Sequence, residues 1–309
     1  MNTSSNAVPE STLDSQVIAP AAMSATRPMY WSVRREVWEN RSIYVAPLAV
    51  AGVILFGFLI RVITLPHRMP AVWALDPAHQ RHAIAMPYDF AAGLLMLTQL
   101  LVGVFYCLDA LYGERRDRSI LFWKSLPVSD LTTVLSKASI PLVVLPLLTW
   151  AITVVAQLIM LLLSTAVLKG SGLSVAALWT QLSLFQMSLM LLYHLVTVHS
   201  LWHAPIYGWL LLVSGWARRA AFLWAVLPPL AIVVVEKIAF NSSHFAAMLG
   251  YRFAGGAEAV PFPGRMPIDP GTPLSLGHFL SSPGLWAGLV FTAAFLAAAV
   301  RLRRYQGPI

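Results

Sequence analysis

Long apolar runs alternate with short, arginine-rich polar segments along this chain. Several of the runs exceed the roughly 18 residues that mark a helix able to cross a membrane. Segments of about ten residues with strict polar–apolar alternation, which would indicate an outer-membrane barrel, do not occur. The pattern predicts an all-α membrane protein with about six transmembrane helices, at residues 43–63, 89–112, 138–168, 175–201, 220–240 and 283–300.

The segments between these runs carry different predictions. Residues 1–28 are rich in Ser, Thr, Ala and Pro without helical periodicity, which predicts a disordered cytoplasmic tail. The polar stretch 66–87 predicts a connector, and the outer loop 241–282 predicts either a small folded cap or an irregular link. Residues 206–216 are too few to span a membrane and precede two arginines, so we expect a cytoplasmic re-entrant or interfacial segment.

An aromatic and basic segment, residues 30–42, precedes the first apolar run. Trp31 and Trp38 lie seven residues apart and share a helical face, and Arg34, Arg35 and Arg41 can snorkel beside them. The segment predicts an N-terminal interfacial helix on the cytoplasmic leaflet. A cytoplasmic extension of the first span is the alternative.

Composition supports the membrane prediction. Only 11% of residues are charged and mean hydropathy is +0.70, whereas soluble domains carry about 25% charged residues. The net charge of +8 comes from basic residues that flank the apolar runs. That placement indicates contact with anionic membrane lipid and not with nucleic acid.

The distribution of lysine and arginine predicts the orientation. Placing both termini in the cytoplasm puts most of the 21 Lys and Arg residues on the inner side, as the positive-inside rule requires. We therefore expect a multi-pass protein of the bacterial inner (cytoplasmic) membrane with both termini cytoplasmic.

The most charged part of the chain is the cytoplasmic segment 113–137. Glu114 and Arg118 are four residues apart, which favours a solvated helix. An apolar cluster at 120–123 predicts a short helix that Pro127 ends, and Ser129 with Asp130 predicts the N-cap of the next helix. Aromatic side chains rimmed by charge are typical of a protein-docking surface. A charged loop dipping into the leaflet is the alternative.

This segment resembles the loop between spans 2 and 3 in permease subunits of type-2 ATP-binding-cassette (ABC) transporters. The residues that match the family pattern are Glu114, Arg115, Ser119, Leu126, Pro127, Val128, Ser129 and Lys137. The interfacial segment and the six spans are also similar to that family.

The resemblance implies a permease that exports a hydrophobic or amphipathic substrate, such as a lipid, peptide or drug. The chain has no phosphate-loop motif, so ATP and Mg are expected on a separate cytoplasmic ABC ATPase, with no cofactor in this chain. A second permease copy is expected to complete a homodimer. The implied ATPase-coupling residues are Glu114, Arg115, Arg118, Ser119, Phe122, Trp123, Lys124 and Pro127.

Polar residues inside the fourth apolar run are the remaining candidates. Gln186, Tyr193 and His194 are the candidate substrate path. His199 and His203 have helical spacing but no acid between them, so hydrogen bonding at a helix interface is favoured over a metal site. The alternative functions are a membrane anchor or regulatory subunit that does not transport and an intramembrane enzyme that uses His194 or His199 with a nearby hydroxyl.

Overall fold

A computed structural model describes residues 26–126, 128–255, 276–307 and 309. These residues form helices and no strand, which confirms the all-α prediction. Six helical stretches are long and apolar enough to cross a membrane: Ser42–Ile63, Pro77–Arg116, Asp130–Gly170, Leu178–Trp202, Ala221–Phe240 and Pro283–Tyr305. The predicted tail, residues 1–28, lies almost wholly outside the described residues.

The first part of the chain is more helical than its sequence indicates. It contains α1 (Thr26–Glu39), α2 (Ser42–Ile63), α3 (Leu65–Trp73) and α4 (Pro77–Ala110). Most of the polar stretch 66–87 is therefore helical, and the helix of the second span begins before the predicted residue 89. Helix α4 begins at Pro77 because Asp76 caps it by accepting a hydrogen bond from the backbone N–H of His79, and proline fits the first helical position.

Three short helices make up the charged segment after α4. They are α5 (Tyr112–Arg116), α6 (Ile120–Ser125) and α7 (Asp130–Ser139). The side chain of Ser129 accepts a hydrogen bond from the backbone N–H of Thr132, so the predicted N-cap is confirmed. Pro127, which was expected to end α6, lies outside the described residues.

The third and fourth spans each contain a π-helical segment. Residues Ile140–Val144 form the first, between α7 and α8 (Leu145–Gly170). After α9 (Ala176–Gln181) and α10 (Leu184–His194), residues Leu195–Trp202 form the second.

Helix α11 (Ala204–Trp216) follows the second π-helical segment. It packs along α4 and along α15 (Pro283–Tyr305), and most of its side chains are buried. Of the two predicted forms of 206–216, the interfacial one is wrong, because this short helix is buried inside the bundle; the re-entrant one stays a prediction. Gly208 allows the close packing, since a Cβ there would lie 3.4 Å from the Cα of Thr292.

The last third of the chain leaves α11 through a sharp turn. Ala220 adopts a left-handed conformation with φ 47°, after which α12 (Ala221–Phe240) begins. The predicted outer loop 241–282 contains α13 (His244–Phe253) and α14 (Leu276–Ser281). Residues 256–275 between them lie outside the described part, so whether the loop forms a cap stays a prediction.

Candidate functional site

Six charged side chains from distant parts of the chain meet where α1, α5, α7 and the end of α15 come together. We call this group the ion-pair cluster; its members are Arg35, Glu36, Glu114, Asp130, Lys137 and Arg303. Three of them are acidic and three are basic, and Glu39 adds a further carboxylate at the edge, 3.5 Å from Arg35. The cluster joins four helices that are far apart in sequence.

Lys137 lies at the centre of the ion-pair cluster. Its Nζ is 2.9 Å from Glu36 Oε1 and 3.0 Å from Glu114 Oε1. Arg35 Nη2 also contacts Glu36 Oε1, at 2.6 Å. The hydroxyl of Tyr106 donates to Glu36 Oε2 at 2.8 Å. Both carboxylates are thus held by several donors in a buried environment.

Arg303 ties the end of α15 to the same cluster. Its Nη1 forms an ion pair with Glu114 Oε2, and its Nε lies 3.2 Å from Asp130 Oδ1. Glu114 therefore links α15 to α7 through two basic side chains, Arg303 and Lys137. Any movement of α5 must carry these helices with it or break buried ion pairs.

The cluster determines the ionisation of Glu36. Burial alone would raise the pKa of this carboxyl, but the Lys137 ammonium and the Arg35 guanidinium outweigh burial and lower the pKa below its usual value. Glu39, at the edge of the cluster, shows the opposite balance, because burial raises its pKa despite the nearby Arg35. The central carboxylate is thus stabilised in its charged form.

The expected solvated pair of Glu114 with Arg118 is wrong. Glu114 is buried among the partners just described, and Arg118 is exposed in a left-handed conformation with φ 59°. That conformation places Arg118 in the turn between α5 and α6, where the helical spacing of the two residues no longer applies. The hydroxyl of Ser119, in the same turn, donates to the carbonyl of Glu114 at 3.4 Å.

Helix α6 presents an apolar face to the outside of the described structure. Ile120 is buried and anchors the helix, whereas Leu121 and Phe122 are each 59% exposed. Trp123 is half-buried, with the Arg35 guanidinium 3.8 Å from its ring centroid. Lys124 Nζ donates to the carbonyl of Gln306 at 2.9 Å. The expected short helix is observed, and Phe122 is its exposed aromatic side chain, whereas the use of this face for docking stays a prediction.

The predicted coupling residues differ in burial, with Ser119 and Trp123 half-buried. Glu114 and Arg115 are buried and attach the segment to the bundle, whereas Arg118, Phe122 and Lys124 are exposed. The Arg115 side chain donates to the backbone carbonyls of Gly215, Ala217 and Gly307. Arg116 Nη1 lies 3.8 Å from Asp109 Oδ1 at the end of α4.

Helix α1 lies beside this segment. Trp31 and Trp38 are exposed, and the Arg34 guanidinium lies 5.1 Å and 4.5 Å from their ring centroids. Val33 and Val37, on another face, pack against the core. The helix therefore has one face that is fixed to the bundle and one that displays tryptophan and arginine.

The candidate substrate-path residues do not form one lining. Gln186 is exposed in the first turn of α10, and Tyr193 and His194 are half-buried further along. His194 packs edge to face on His199, which packs on His203, with centroids 5.7 Å and 5.4 Å apart.

A second polar group closes the other end of the α11–α15 pair. We call it the histidine–arginine cluster: His194, His199, Trp202, His203 and Arg252. The Arg252 guanidinium donates to the carbonyls of Trp202 and Gly284, at 3.3 Å and 2.8 Å, and lies over the Trp202 ring. Among the described residues, no group of three or more His, Cys, Asp or Glu side chains is placed to hold a metal ion.

Sequence reasoning missed much of the ion-pair cluster. Glu36, Tyr106 and Arg303 had no assigned partner, and Lys137 entered only through the family pattern. The available signal was weak, since Glu36 and Arg303 stand among other charged residues and nothing in the local sequence sets them apart. Their pairing depends on helices brought together from distant parts of the chain.

The fold and the composition of its helices are those of a multi-pass helical membrane protein. Comparisons of the chain with protein-family models, curated proteins and solved structures find no match. The particular function must therefore be argued from the geometry of the site and from the resemblance of the charged segment.

Proposed function

We propose that this chain is the membrane-spanning subunit of an ATP-driven exporter and that α6 docks on a separate cytoplasmic ABC ATPase. The observation that carries the proposal is the exposed Leu121–Phe122 face on a helix that is anchored by Ile120 and adjoins the buried ion-pair cluster. Such a face suits a protein partner, because exposed apolar anchors with a polar rim are typical of binding hot spots.

The ion-pair cluster gives the docked helix a mechanical connection to the bundle. A displacement of α6 moves the adjoining α5. The ion pairs of Glu114 with Lys137 and with Arg303 then transmit the displacement to α7 and to α15. ATP would then drive transport by binding the closed ATPase dimer more tightly than the open one. The cargo in this proposal is a hydrophobic or amphipathic molecule.

Orientation and assembly belong to the same proposal. Both termini and the α5–α7 segment lie in the cytoplasm, α1 lies at the inner leaflet through Trp31 and Trp38, and two copies form a homodimer in the bacterial inner membrane. The exposed tryptophans with an arginine between them support the interfacial position of α1.

Site-specific photocrosslinking tests the proposed contact. A photoreactive phenylalanine at position 122 should crosslink, in membranes, to a soluble protein that carries a phosphate-loop ATPase motif. The same group at Phe105, which is 64% exposed on α4, is the matched control and should crosslink to lipid. The crosslink at 122 should change in yield when ATP is added. Crosslinks to lipid alone at both positions would contradict the proposal.

Labelling from each side of the membrane tests the orientation. Cys107 is the only cysteine and is fully buried, so the natural chain should not react with an impermeant maleimide. A cysteine introduced at the exposed Ser125 should react in inverted vesicles but not in intact cells. Reaction in intact cells would place α6 outside and remove the basis for ATPase docking.

Purification of the chain with its crosslinked partner separates the alternative functions. ATP hydrolysis that depends on the partner and weakens with Phe122→Ala, but not with Phe105→Ala, supports coupling. A complex that binds the partner without any change in ATP turnover or substrate movement would instead indicate an anchor or regulatory subunit.

A further inference from the structure

Three deeply buried polar side chains of the bundle have no hydrogen-bond partner among the described residues, although comparable side chains near them do. They are Gln99 of α4, Thr149 of α8 and Tyr207 of α11. Gln99 and Thr149 are 0% exposed and Tyr207 is 1% exposed. They take no part in the proposed coupling to an ATPase.

Gln99 differs from the other buried glutamine of the described spans. Both its amide nitrogen and its amide oxygen are buried without a partner. Gln157, in contrast, donates from Nε2 to the carbonyl of Tyr88 at 3.2 Å. A buried amide that forms no bond is costly, so Gln99 indicates a partner from outside the chain.

Thr149 differs from other hydroxyl residues of the spans in the same way. A hydroxyl in a helix can donate to the carbonyl four residues earlier. Five side chains of the spans do so at 2.7–2.9 Å: Thr98, Thr153, Ser164, Thr165 and Thr292. The Thr149 hydroxyl forms no such bond and is buried, so it is available to a partner in the interior.

Tyr207 is the third exception. The hydroxyls of the other two buried tyrosines have partners, since Tyr88 lies 3.4 Å from Ser164 Oγ and Tyr106 donates to Glu36 at 2.8 Å. The Tyr207 hydroxyl has none in the described part of the chain. Three residue types thus each show one unsatisfied member.

Gln99 and Tyr207 come together where α4 and α11 pack. A Cβ on Gly103 would lie 3.5 Å from the Tyr207 hydroxyl, and Gln99 is one turn before Gly103 on the same face. The two helices run in the same direction, because further along Leu111 donates to Ser214. Since long side chains in helices point toward the N-terminus, the Tyr207 hydroxyl is directed toward the level of Gln99.

Thr149 lies at the same level on α8. Tyr88 bonds to Gln157 and to Ser164 of α8, and Gln99 is about three turns further along the same face of α4. Because α4 and α8 run antiparallel, about three turns back along α8 lead to Thr149. The three exceptions therefore surround one part of the interior.

The chemistry of these groups identifies their partner. The Gln99 amide requires both an acceptor and a donor, whereas the two hydroxyls can act as either. A cation would leave the amide N–H groups without an acceptor, and an anion would be buried without a counter-charge. Full burial limits the partner to a very small molecule. Water meets these requirements, since buried water typically bonds to about three otherwise unsatisfied polar groups.

We propose that ordered water occupies the interior between α4, α8 and α11 and is bound by Gln99, Thr149 and Tyr207. The water links three helices whose side chains form no direct hydrogen bond to one another through these groups. The site is closed to bulk solvent and to lipid, because its three protein groups are buried.

Radiolytic labelling of the purified full-length chain in detergent tests for the bound water. A millisecond X-ray pulse forms hydroxyl radicals from water within the site, so a buried ring beside bound water is oxidised although bulk solvent cannot reach it. Mass spectrometry should show that Tyr207 is oxidised several times faster than Tyr88. Tyr88 is the matched control, because it is also buried and its hydroxyl has a partner in the chain.

Brief mixing with heavy-oxygen water before the pulse tests whether the water is enclosed. The exposed Tyr305 should take up heavy oxygen, whereas Tyr207 should still take up the light isotope. Heavy oxygen on Tyr207, or equal oxidation of Tyr207 and Tyr88, would overturn the proposal.

Replacing Gln99 tests its bonds to the water. Gln99→Met should lower the midpoint of thermal unfolding and slow the oxidation of Tyr207, because bonds that hold the water are lost. In a dry interior the same change would raise the midpoint, since it removes an unpaired buried amide. Gln157→Met is the matched control and should lower the midpoint, because its amide bonds to the Tyr88 carbonyl. A raised midpoint for Gln99→Met would overturn the proposal, and labelling of the natural chain decides the question even where a variant folds poorly.

Discussion

The two ends of the α11–α15 pair are held together in different ways. At one end, Arg303 of α15 joins the ion-pair cluster, and the Ser214 hydroxyl of α11 accepts hydrogen bonds from the N–H groups of Leu111 and Tyr112. At the other end, Arg252 is held by two carbonyls and a ring. There the Nδ1 atoms of His199 and His203 and Nε1 of Trp202 are buried without hydrogen-bond partners in the described part of the chain.

The difference has an energetic consequence. Separating matched buried charges leaves each of them unpaired in a low-dielectric environment, which is costly. Moving Arg252 only exchanges carbonyl acceptors that water can replace, and the unpartnered ring nitrogens nearby have no hydrogen bond to lose. The end with the ion-pair cluster should therefore move as a unit, whereas the end with the histidine–arginine cluster should rearrange more easily.

The largest expected effect is at Lys137. Lys137→Met removes the more deeply buried of the two cations that contact both Glu36 and Glu114, leaving only Arg35 between them. It should reduce the free energy of unfolding by about 3–5 kcal/mol. The midpoint of thermal unfolding in mild detergent measures the loss. Lys124→Met is the control, because Lys124 is exposed and bonds to carbonyls only. Equal midpoints for the two variants would show that the cluster contributes little.

A smaller effect is expected at the other end. Arg252→Met removes two charge-assisted hydrogen bonds and a cation–π contact, with an expected cost of about 1–3 kcal/mol. Arg68→Met, at an exposed arginine without an ion pair among the described residues, is the control. A cost as large as that of Lys137→Met would contradict the distinction between the two ends.

Gly288 sharpens the same comparison. A Cβ at this position would lie 2.5 Å from Nη2 of Arg252, so Gly288→Ala should displace the guanidinium at a cost of about 1 kcal/mol, since a flexible side chain can move aside. The effect should disappear in an Arg252→Met background, which a double-mutant cycle in thermal unfolding would detect. Gly57→Ala, with nothing within 4 Å of the added Cβ, is the control for helix propensity. A cost that persists without Arg252 would assign the clash to another group.

The smallest change is the pH dependence of stability that Glu36 confers, which is flat near neutral pH. Because its pKa is lowered in the folded chain, its contribution to stability is complete above the ordinary value of 4.5 and is lost as the pH falls through the lowered pKa. Unfolding midpoints should therefore be flat near neutrality and decline on acidification. Glu36→Gln should be less stable at neutral pH and lose less on acidification; a parallel decline in both chains would assign the acid sensitivity elsewhere.

Local patterns predicted the spans but not always their limits. The apolar runs located all six candidate spans, because lipid exposure requires long unbroken hydrophobicity. The start of α4 was placed at Asp89 because the polar residues after Pro77 were interpreted as a connector, although Asp76–Pro77 is itself a helix-start signal. The stretch 206–216 is too short to be predicted as a membrane span by itself. The π-helical segment that precedes it has no simple sequence signature.

The candidate site was predictable only in its local parts. The short helix α6 and the Ser129 cap follow from nearby residues. The ion-pair cluster does not, since its closing contact joins Glu114 to Arg303, 189 residues apart. Helical spacing paired Glu114 with Arg118, because the local sequence gives no sign of the distant partners Lys137 and Arg303.

The two π-helical segments lie against each other, one in the third span and one in the fourth. A π-helical turn contains one more residue than an α-helical turn. If that extra residue shifts to another position in the helix, the residues between the two positions move by about 1.5 Å along the helix axis and rotate by about 100°. Two neighbouring spans thus each contain extra backbone at the point where they contact each other. The helices can shift and rotate relative to each other at this point while each of them stays helical.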